Sequence, residues 1–273
     1  MIFEREFKST FGKMIAWVLV LLVLTGLLLA LYPMMLDLNM KSVFDSFISS
    51  LRDNFKKVMG FDENLNYEEI GQYIAFIYQY IAVLIAMFAM QLGANSLAKE
   101  QGSGNIEYLY SNPIDRSEIV TQKILSNILT YVLFLIVMAV ATFGLAIVLA
   151  PKDADFRKQQ LLIDMIKIFA GLLGSGLVFM SIGYFVSSLS KNTIYTEGIS
   201  VLFVFLIAIF IIVGKINGGV LGTITNLSPL ETFKPIRMLN LNISVIGVIT
   251  NIVIFAIFML LTYFIYNKKE LKY

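Results

Sequence analysis

Long apolar runs limit what this chain of 273 residues can fold into. The clearest run covers residues 71–98 and contains no charged residue. Since a helix rises about 1.5 Å per residue, about 20 apolar residues cross the roughly 30 Å hydrocarbon core of a bilayer. Five further runs of similar character cover residues 14–36, 124–150, 163–188, 193–214 and 243–266. The pattern predicts an all-α membrane protein in which a single domain has six transmembrane helices.

The composition fits a membrane protein and excludes several classes of enzyme. Hydrophobic residues make up 58% of the chain and charged residues 15%, whereas soluble domains have about 25% charged residues. The chain contains no histidine and no cysteine, which removes the commonest general base and the usual zinc ligands. It also lacks a G-x-x-x-x-G-K-[ST] phosphate-binding loop. We therefore expect no metal or cofactor on this chain, and the net charge of +2 gives no reason to expect nucleic acid.

Two polar segments carry amphipathic patterns. In residues 2–11, Phe3, Phe7 and Phe11 recur every four residues among charged ones, which predicts a helix lying in the membrane interface. A frayed terminus that merely anchors the first span is the alternative. In residues 37–69, helical spacing of apolar residues predicts an amphipathic helix that rests on the membrane surface or on neighbouring spans. Its expected role is structural cover, with substrate gating as the alternative.

A polar island, residues 94–123, lies between the second and third runs. Glycines and a proline interrupt it, and an asparagine stands where it can cap a short helix over residues 105–111. This helix would present an apolar face, on which we expect another protein to dock. The candidate docking residues are Glu100, Gly104, Asn105, Ile106, Leu109, Tyr110 and Pro113.

A stripe of aromatic and polarisable side chains runs along the second span. It predicts a wall that faces a substrate, whereas ordinary helix packing, with tyrosines near the interface, is the alternative. The residues of the stripe are Tyr73, Phe76, Tyr80, Met87 and Gln91.

Glu197 is an ionisable residue one turn inside the fifth span. An ionisable side chain at that depth is a candidate for function. The alternative is a structural role at the headgroup level, in which Glu197 pairs with Lys191 or with a neighbouring chain. Small residues in the fourth span, such as Gly183 and Ser187, are interpreted as sites of close helix packing.

Residues 215–241 carry too few charges for a soluble loop and are too short for two further spans. Glycines at 218, 219 and 222 and the pairs Ser228-Pro229 and Lys234-Pro235 break the segment. We expect a helical hairpin that dips partway into the bilayer, where protein would cover its irregular backbone.

Charge counting does not orient the chain. Six spans place both termini on one side, but lysine and arginine are almost equally divided between the two sides. The lysine-rich tail favours termini in the cytoplasm.

The polar island resembles the signature between the second and third spans of ABC type-2 permeases, the membrane subunits of type V ATP-binding-cassette exporters. The matching residues are Glu100, Gly102, Gly104, Leu109, Pro113, Ser117, Glu118, Ile119 and Lys123. The glycine-rich fourth span and Leu227-Ser228-Pro229 before the last span are also similar, so the resemblance covers essentially the whole chain. Asn105 stands where the family usually has threonine. Asparagine caps a helix as well as threonine does, but it cannot supply the threonine hydroxyl.

The resemblance implies a mechanism and partners. Two permease subunits would form a pathway between them, and two cytoplasmic ATPase subunits, which bind ATP and Mg, would drive it. Residues 105–111 would be the coupling helix that docks on the ATPase, and residues 215–241 an outer gate. Spans two and five commonly line the dimer interface in this family, which adds Phe203 and Phe210 to the candidate pathway. The expected location is the plasma membrane of a bacterium, with both termini cytoplasmic.

The cargo and two rival functions follow from the same residues. An apolar, aromatic cavity with few charges suits an amphipathic peptide first, and a hydrophobic drug or lipid second. A membrane-embedded enzyme is disfavoured because no histidine exists and no paired aspartates lie within a span. A stand-alone secondary transporter is disfavoured because the chain shows neither an internal repeat nor charge at the membrane midplane.

Overall fold

The structure, a computed structural model, describes residues 2–61, 65–102, 115–150, 157–190 and 193–269, with backbone only for 100–102. These residues form twelve helices. They are α1 (Ile2–Leu29), α2 (Tyr32–Leu36), α3 (Leu38–Ser50), α4 (Asp53–Met59), α5 (Ile70–Gly102), α6 (Arg116–Leu149), α7 (Lys158–Leu189), α8 (Thr193–Asn217), α9 (Gly219–Asn226), α10 (Pro229–Thr232), α11 (Pro235–Leu239) and α12 (Val245–Lys268). These residues contain no strand.

Six of the helices are long and apolar enough to cross a membrane. They are α1 continued by α2, then α5, α6, α7, α8 and α12. The prediction of an all-α membrane protein with six spans is therefore confirmed. Several helices extend beyond the apolar runs; α6, for example, begins at Arg116, eight residues before the predicted start of the third span at 124.

The first span differs from its prediction at both ends. No separate interfacial helix covers residues 2–11, because α1 runs without a break from Ile2 to Leu29. Its buried residues recur every three or four positions straight through the predicted boundary, so a single face packs along α6. At the far end the helix stops at Leu29, and a second short helix begins at Tyr32 with Pro33 in its first turn.

The predicted amphipathic helix within residues 37–69 is two helices, α3 and α4. Leu51 and Arg52 between them have extended backbone, and the Asp37 carboxylate caps α3 by accepting hydrogen bonds from the amides of Asn39 and Met40. Neither helix has a buried residue. Aromatic contacts between Phe44, Phe61 and Phe76 join this surface layer to α5.

The helix α5 occupies the centre of the bundle and packs against α1, α7 and α8. A Cβ atom on Gly93 would lie 2.2 Å from the Met180 carbonyl oxygen, and one on Gly183 would lie 2.3 Å from the Met90 carbonyl oxygen. The backbones of α5 and α7 therefore touch, and the interpretation of the small residues at 183 and 187 as packing sites is confirmed at Gly183.

We expect Gly183→Ala to lower the unfolding temperature of the purified protein by several degrees, because the added methyl group forces two backbones apart. Overpacking of this kind costs about 1–3 kcal/mol. Gly144→Ala is the matched control, since a Cβ atom there meets nothing within 4 Å. Thermal unfolding in detergent provides the comparison, and equal unfolding temperatures for the two variants would contradict the packing described here.

The segment between α8 and α12 folds as a compact group of three short helices. The chain reverses at Gly218 and Gly219, whose φ angles of 65° and 57° favour glycine. This reversal lays α9 back against the end of α8, and α11 packs on α7. The helical hairpin expected of residues 215–241, including its depth in a bilayer, stays a prediction.

Candidate functional site

The predicted coupling helix, residues 105–111, lies outside the described residues, as do Gly104 and Pro113, and so does the side chain of Glu100. The structure does describe both flanks of this loop. One flank is the end of α5, which reaches Gly102, and the other is the start of α6 at Arg116. The helix α6 begins directly after Asp115, whose side chain makes no capping hydrogen bond.

One buried carboxylate connects the two flanks. The Glu6 side chain on α1 is 3% exposed, and its Oε2 atom lies 2.7 Å from Lys99 Nζ on α5 and 3.0 Å from Lys123 Nζ on α6. Ser96 Oγ donates to Glu6 Oε1 at 3.2 Å, and Lys123 Nζ also donates to the Ser96 carbonyl oxygen at 2.7 Å. We call Glu6, Ser96, Lys99 and Lys123 the flank cluster.

The flank cluster is costly to separate. The side chains of Glu6 and Lys123 are almost completely removed from solvent. Separating the partners of a buried ion pair is strongly unfavourable, because it leaves a buried charge without a partner. Any motion that moves the ends of α5 and α6 must therefore either carry α1 with it or expose these charges. The cluster thus links the three helices at this end of the bundle.

A second set of hydrogen bonds joins α7 to the same flanks. Tyr184 OH donates to the Lys123 carbonyl oxygen at 3.0 Å, and Asn127 Nδ2 donates to Tyr184 OH at 2.7 Å. Ser187 Oγ accepts hydrogen bonds from the backbone amides of Leu97 and Ala98, each at 2.9 Å. The end of α5 is thus held between α1 on one side and α7 on the other.

Glu197 lies at this same end of the bundle and ties α8 to it. Its Oε1 atom is 2.6 Å from Lys13 Nζ on α1 and accepts a hydrogen bond from Asn95 Nδ2 on α5 at 2.8 Å. The alternative of a structural ion pair fits this geometry, but the observed partner is Lys13, and the expected partner Lys191 lies outside the described residues. A functional role for Glu197 is left as a prediction.

The end of α12 also lies beside the ends of α6 and α7 here. Arg116 on α6 donates to the carbonyl oxygen of Lys269 beyond α12 at 2.7 Å, and Lys269 Nζ donates to the Ser190 carbonyl oxygen after α7 at 2.7 Å. The start of α1 and the end of α12 therefore lie at one end of the bundle, together with the flanks of the loop. This is the arrangement expected from six spans.

The predicted stripe on the second span is largely packed inside the subunit. Tyr73 is buried, and its hydroxyl donates to the Leu28 carbonyl oxygen at 2.9 Å. Met87 is also buried, whereas Phe76 and Gln91 are half-buried and Tyr80 is exposed. The Tyr80 hydroxyl donates to the Met59 carbonyl oxygen. In this subunit the stripe is not a continuous free wall, and its role in a substrate pathway stays a prediction.

Phe203 and Phe210 lie on α8, which leaves much of its apolar surface uncovered by the rest of the subunit. Phe203 is half-buried and Phe210 is exposed. Other large apolar side chains are exposed along this helix: Leu202, Phe205, Leu206, Ile209 and Ile212. Lipid or a second subunit can cover such a surface in a membrane.

Sequence reasoning missed Glu6 and Lys13 as members of this site. Glu6 lies in the segment predicted to be an interfacial helix, and Lys13 lies between that segment and the predicted first span. The available signal was the stripe of Glu6, Thr10 and Met14, which recurs every four residues and continues into the span. Within the described ranges, no group of three acidic side chains could hold a metal ion.

Comparison with known proteins places these features in a family. A family model described as ABC-2 family transporter protein matches residues 1–271 of the chain. No curated protein matches the chain significantly.

Proposed function

The chain belongs to the ABC-2 family of transporter proteins, and we propose that it is the permease subunit of an ATP-driven exporter. Members of this family are membrane subunits without catalytic activity of their own. The match covers residues 1–271, and six helices are long and apolar enough to cross a membrane. With no phosphate-binding loop in the sequence, a separate ATPase subunit binds ATP and Mg.

The loop between α5 and α6 is the part on which the ATPase acts. The observation that carries this assignment is the flank cluster, because Glu6 holds both ends of the loop to α1. A displacement of the loop is therefore transmitted to three spans at once. Closure of two ATPase subunits on ATP pushes the loop, and α1, α5 and α6 tilt as a unit.

The tilt reaches the rest of the subunit through α5. This helix packs against α7 and α8 as well as α1, and Asn95 and Ser187 add hydrogen bonds on both sides. Since close-packed helices cannot deform continuously, the motion changes the relative positions of whole helices. Access to the pathway changes from one side of the membrane to the other.

The pathway lies between two permease subunits. The exposed apolar face of α8, which includes Phe210, supports this arrangement because it is the kind of surface that a second subunit covers. The pathway is apolar and aromatic, so its cargo is an amphipathic peptide in the first place and a hydrophobic drug or lipid in the second. The protein works in the plasma membrane of a bacterium, with both termini in the cytoplasm.

The proposal predicts where ATP binds. The chain purified alone should not bind a fluorescent ATP analogue above the level of a denatured control. The same chain, tagged and isolated gently from its native membranes, should bring with it an ABC ATPase subunit that hydrolyses ATP. Saturable nucleotide binding by the isolated chain would contradict the division of labour between two subunits.

A further inference from the structure

A basic pocket lies at the end of the bundle opposite the flank cluster. It has a volume of about 270 Å³ and opens to the surface. Its charged lining comes from four elements: Lys57 on α4, Lys215 on α8, Glu231 on α10, and Lys234 and Arg237 at α11.

The pocket carries more positive than negative charge. Glu231 is 7% exposed, and its Oε1 atom lies 2.6 Å from Lys215 Nζ while its Oε2 atom lies 3.4 Å from an Arg237 nitrogen. Burial raises the pKa of Glu231, but Lys215, Lys234 and Arg237 more than offset this effect, so its pKa lies below the usual value. Glu231 is therefore ionised at neutral pH, and four cationic side chains surround one carboxylate.

Lys57 is the cation of the pocket that a ligand can reach most easily. It is exposed on α4, and among the described residues its side chain has no hydrogen-bond or ion-pair partner. Gly218 also lines the pocket and leaves open space there, since a Cβ atom on Gly218 would meet nothing within 4 Å. Lys215 stands in the last turn of a candidate span, where hydrocarbon gives way to the headgroup layer.

We propose that this pocket binds a phosphate group, carried by the headgroup of an anionic lipid or present as free phosphate. Lysine and arginine are the usual partners of phosphate, and basic pockets between membrane helices take up anionic headgroups. The bound phosphate joins α4, α8 and α11, all of which line the pocket. This inference does not depend on the transport function.

The test measures stabilisation of the purified full-length protein in a neutral detergent by three probes. They are dioctanoyl phosphatidylglycerol, dioctanoyl phosphatidylcholine and inorganic phosphate, at equal ionic strength. Lys57→Gln removes one charge from the pocket and should weaken binding about fivefold, as expected for about 1 kcal/mol per lysine near a charged surface. Lys57→Arg should restore binding. Lys56→Gln is the matched control, because this neighbour on α4 does not line the pocket.

Each outcome decides the proposal. A rise in unfolding temperature with phosphatidylglycerol, weakened in Lys57→Gln but not in Lys56→Gln, supports the lipid headgroup as the source. The same pattern with inorganic phosphate alone supports free phosphate. The site is overturned if neither phosphatidylglycerol nor inorganic phosphate raises the unfolding temperature, if phosphatidylcholine raises it as much as phosphatidylglycerol does, or if both variants respond equally.

Discussion

Replacing Lys123 by methionine is expected to lower the free energy of unfolding by about 3 kcal/mol, because it removes one of the two ammonium groups beside a buried carboxylate. Glu6 is 3% exposed and would keep Lys99 as its cationic partner. Methionine has nearly the same length as lysine, so little packing is lost. Titration with sodium dodecyl sulfate in mixed micelles measures the change.

Two further variants separate the ion pair from general damage. Lys8→Met removes an exposed lysine on α1, the helix that carries Glu6; its pair with Glu4 faces solvent, so the unfolding free energy should stay unchanged. In a Glu6→Gln background, Lys123→Met should cost clearly less than it does alone, because the interaction has already been lost. Equal costs in both backgrounds would show that Glu6 and Lys123 are not coupled.

The second large effect concerns the loop itself. Leu109→Asp combined with Tyr110→Asp places two carboxylates on the apolar face of the predicted coupling helix, and should reduce recovery of the ATPase with the tagged chain at least tenfold. Charges in the centre of a docking interface are strongly unfavourable unless they are paired. Co-purification from native membranes, followed by an ATPase assay, measures the loss.

The control for this variant adds charge to the other face of the same helix. Ser111→Asp should leave most of the ATPase bound, since helical spacing places residue 111 away from Leu109 and Tyr110. Unfolding temperatures of all variants should match that of the unmodified chain. Full recovery of the ATPase with the double variant would refute the assignment of residues 105–111 as the coupling helix.

The six spans could be predicted from the sequence because the length of an apolar run is a local property. The core position of α5 left no such signal, since spans of higher hydropathy, such as α8, are much less buried than α5. Its aromatic stripe could not be separated from core packing by spacing alone. Tyr73, for example, hydrogen-bonds to the Leu28 carbonyl oxygen, a contact between residues 45 positions apart.

The partners of the charged residues could not be predicted, because they come from distant parts of the chain. Glu6 and Lys123 are separated by 117 positions, and Glu197 and Lys13 by 184. For Glu197 the nearby Lys191 was the natural choice in sequence, whereas the fold brings Lys13 next to it. The phenylalanine pattern of residues 2–11 hid the burial of Glu6, since the same spacing suits an interfacial helix.

The loop between α5 and α6 is the proposed point of contact with an ATPase. The most direct measurement places a photoreactive benzoylphenylalanine at Tyr110 of the tagged chain in its native membranes, with Val220, an exposed residue on α9 at the opposite end, as the control position. Light should link position 110, but not position 220, to an ABC ATPase subunit identified by mass spectrometry. No ATPase adduct at position 110, or equal adducts at both positions, would contradict the account.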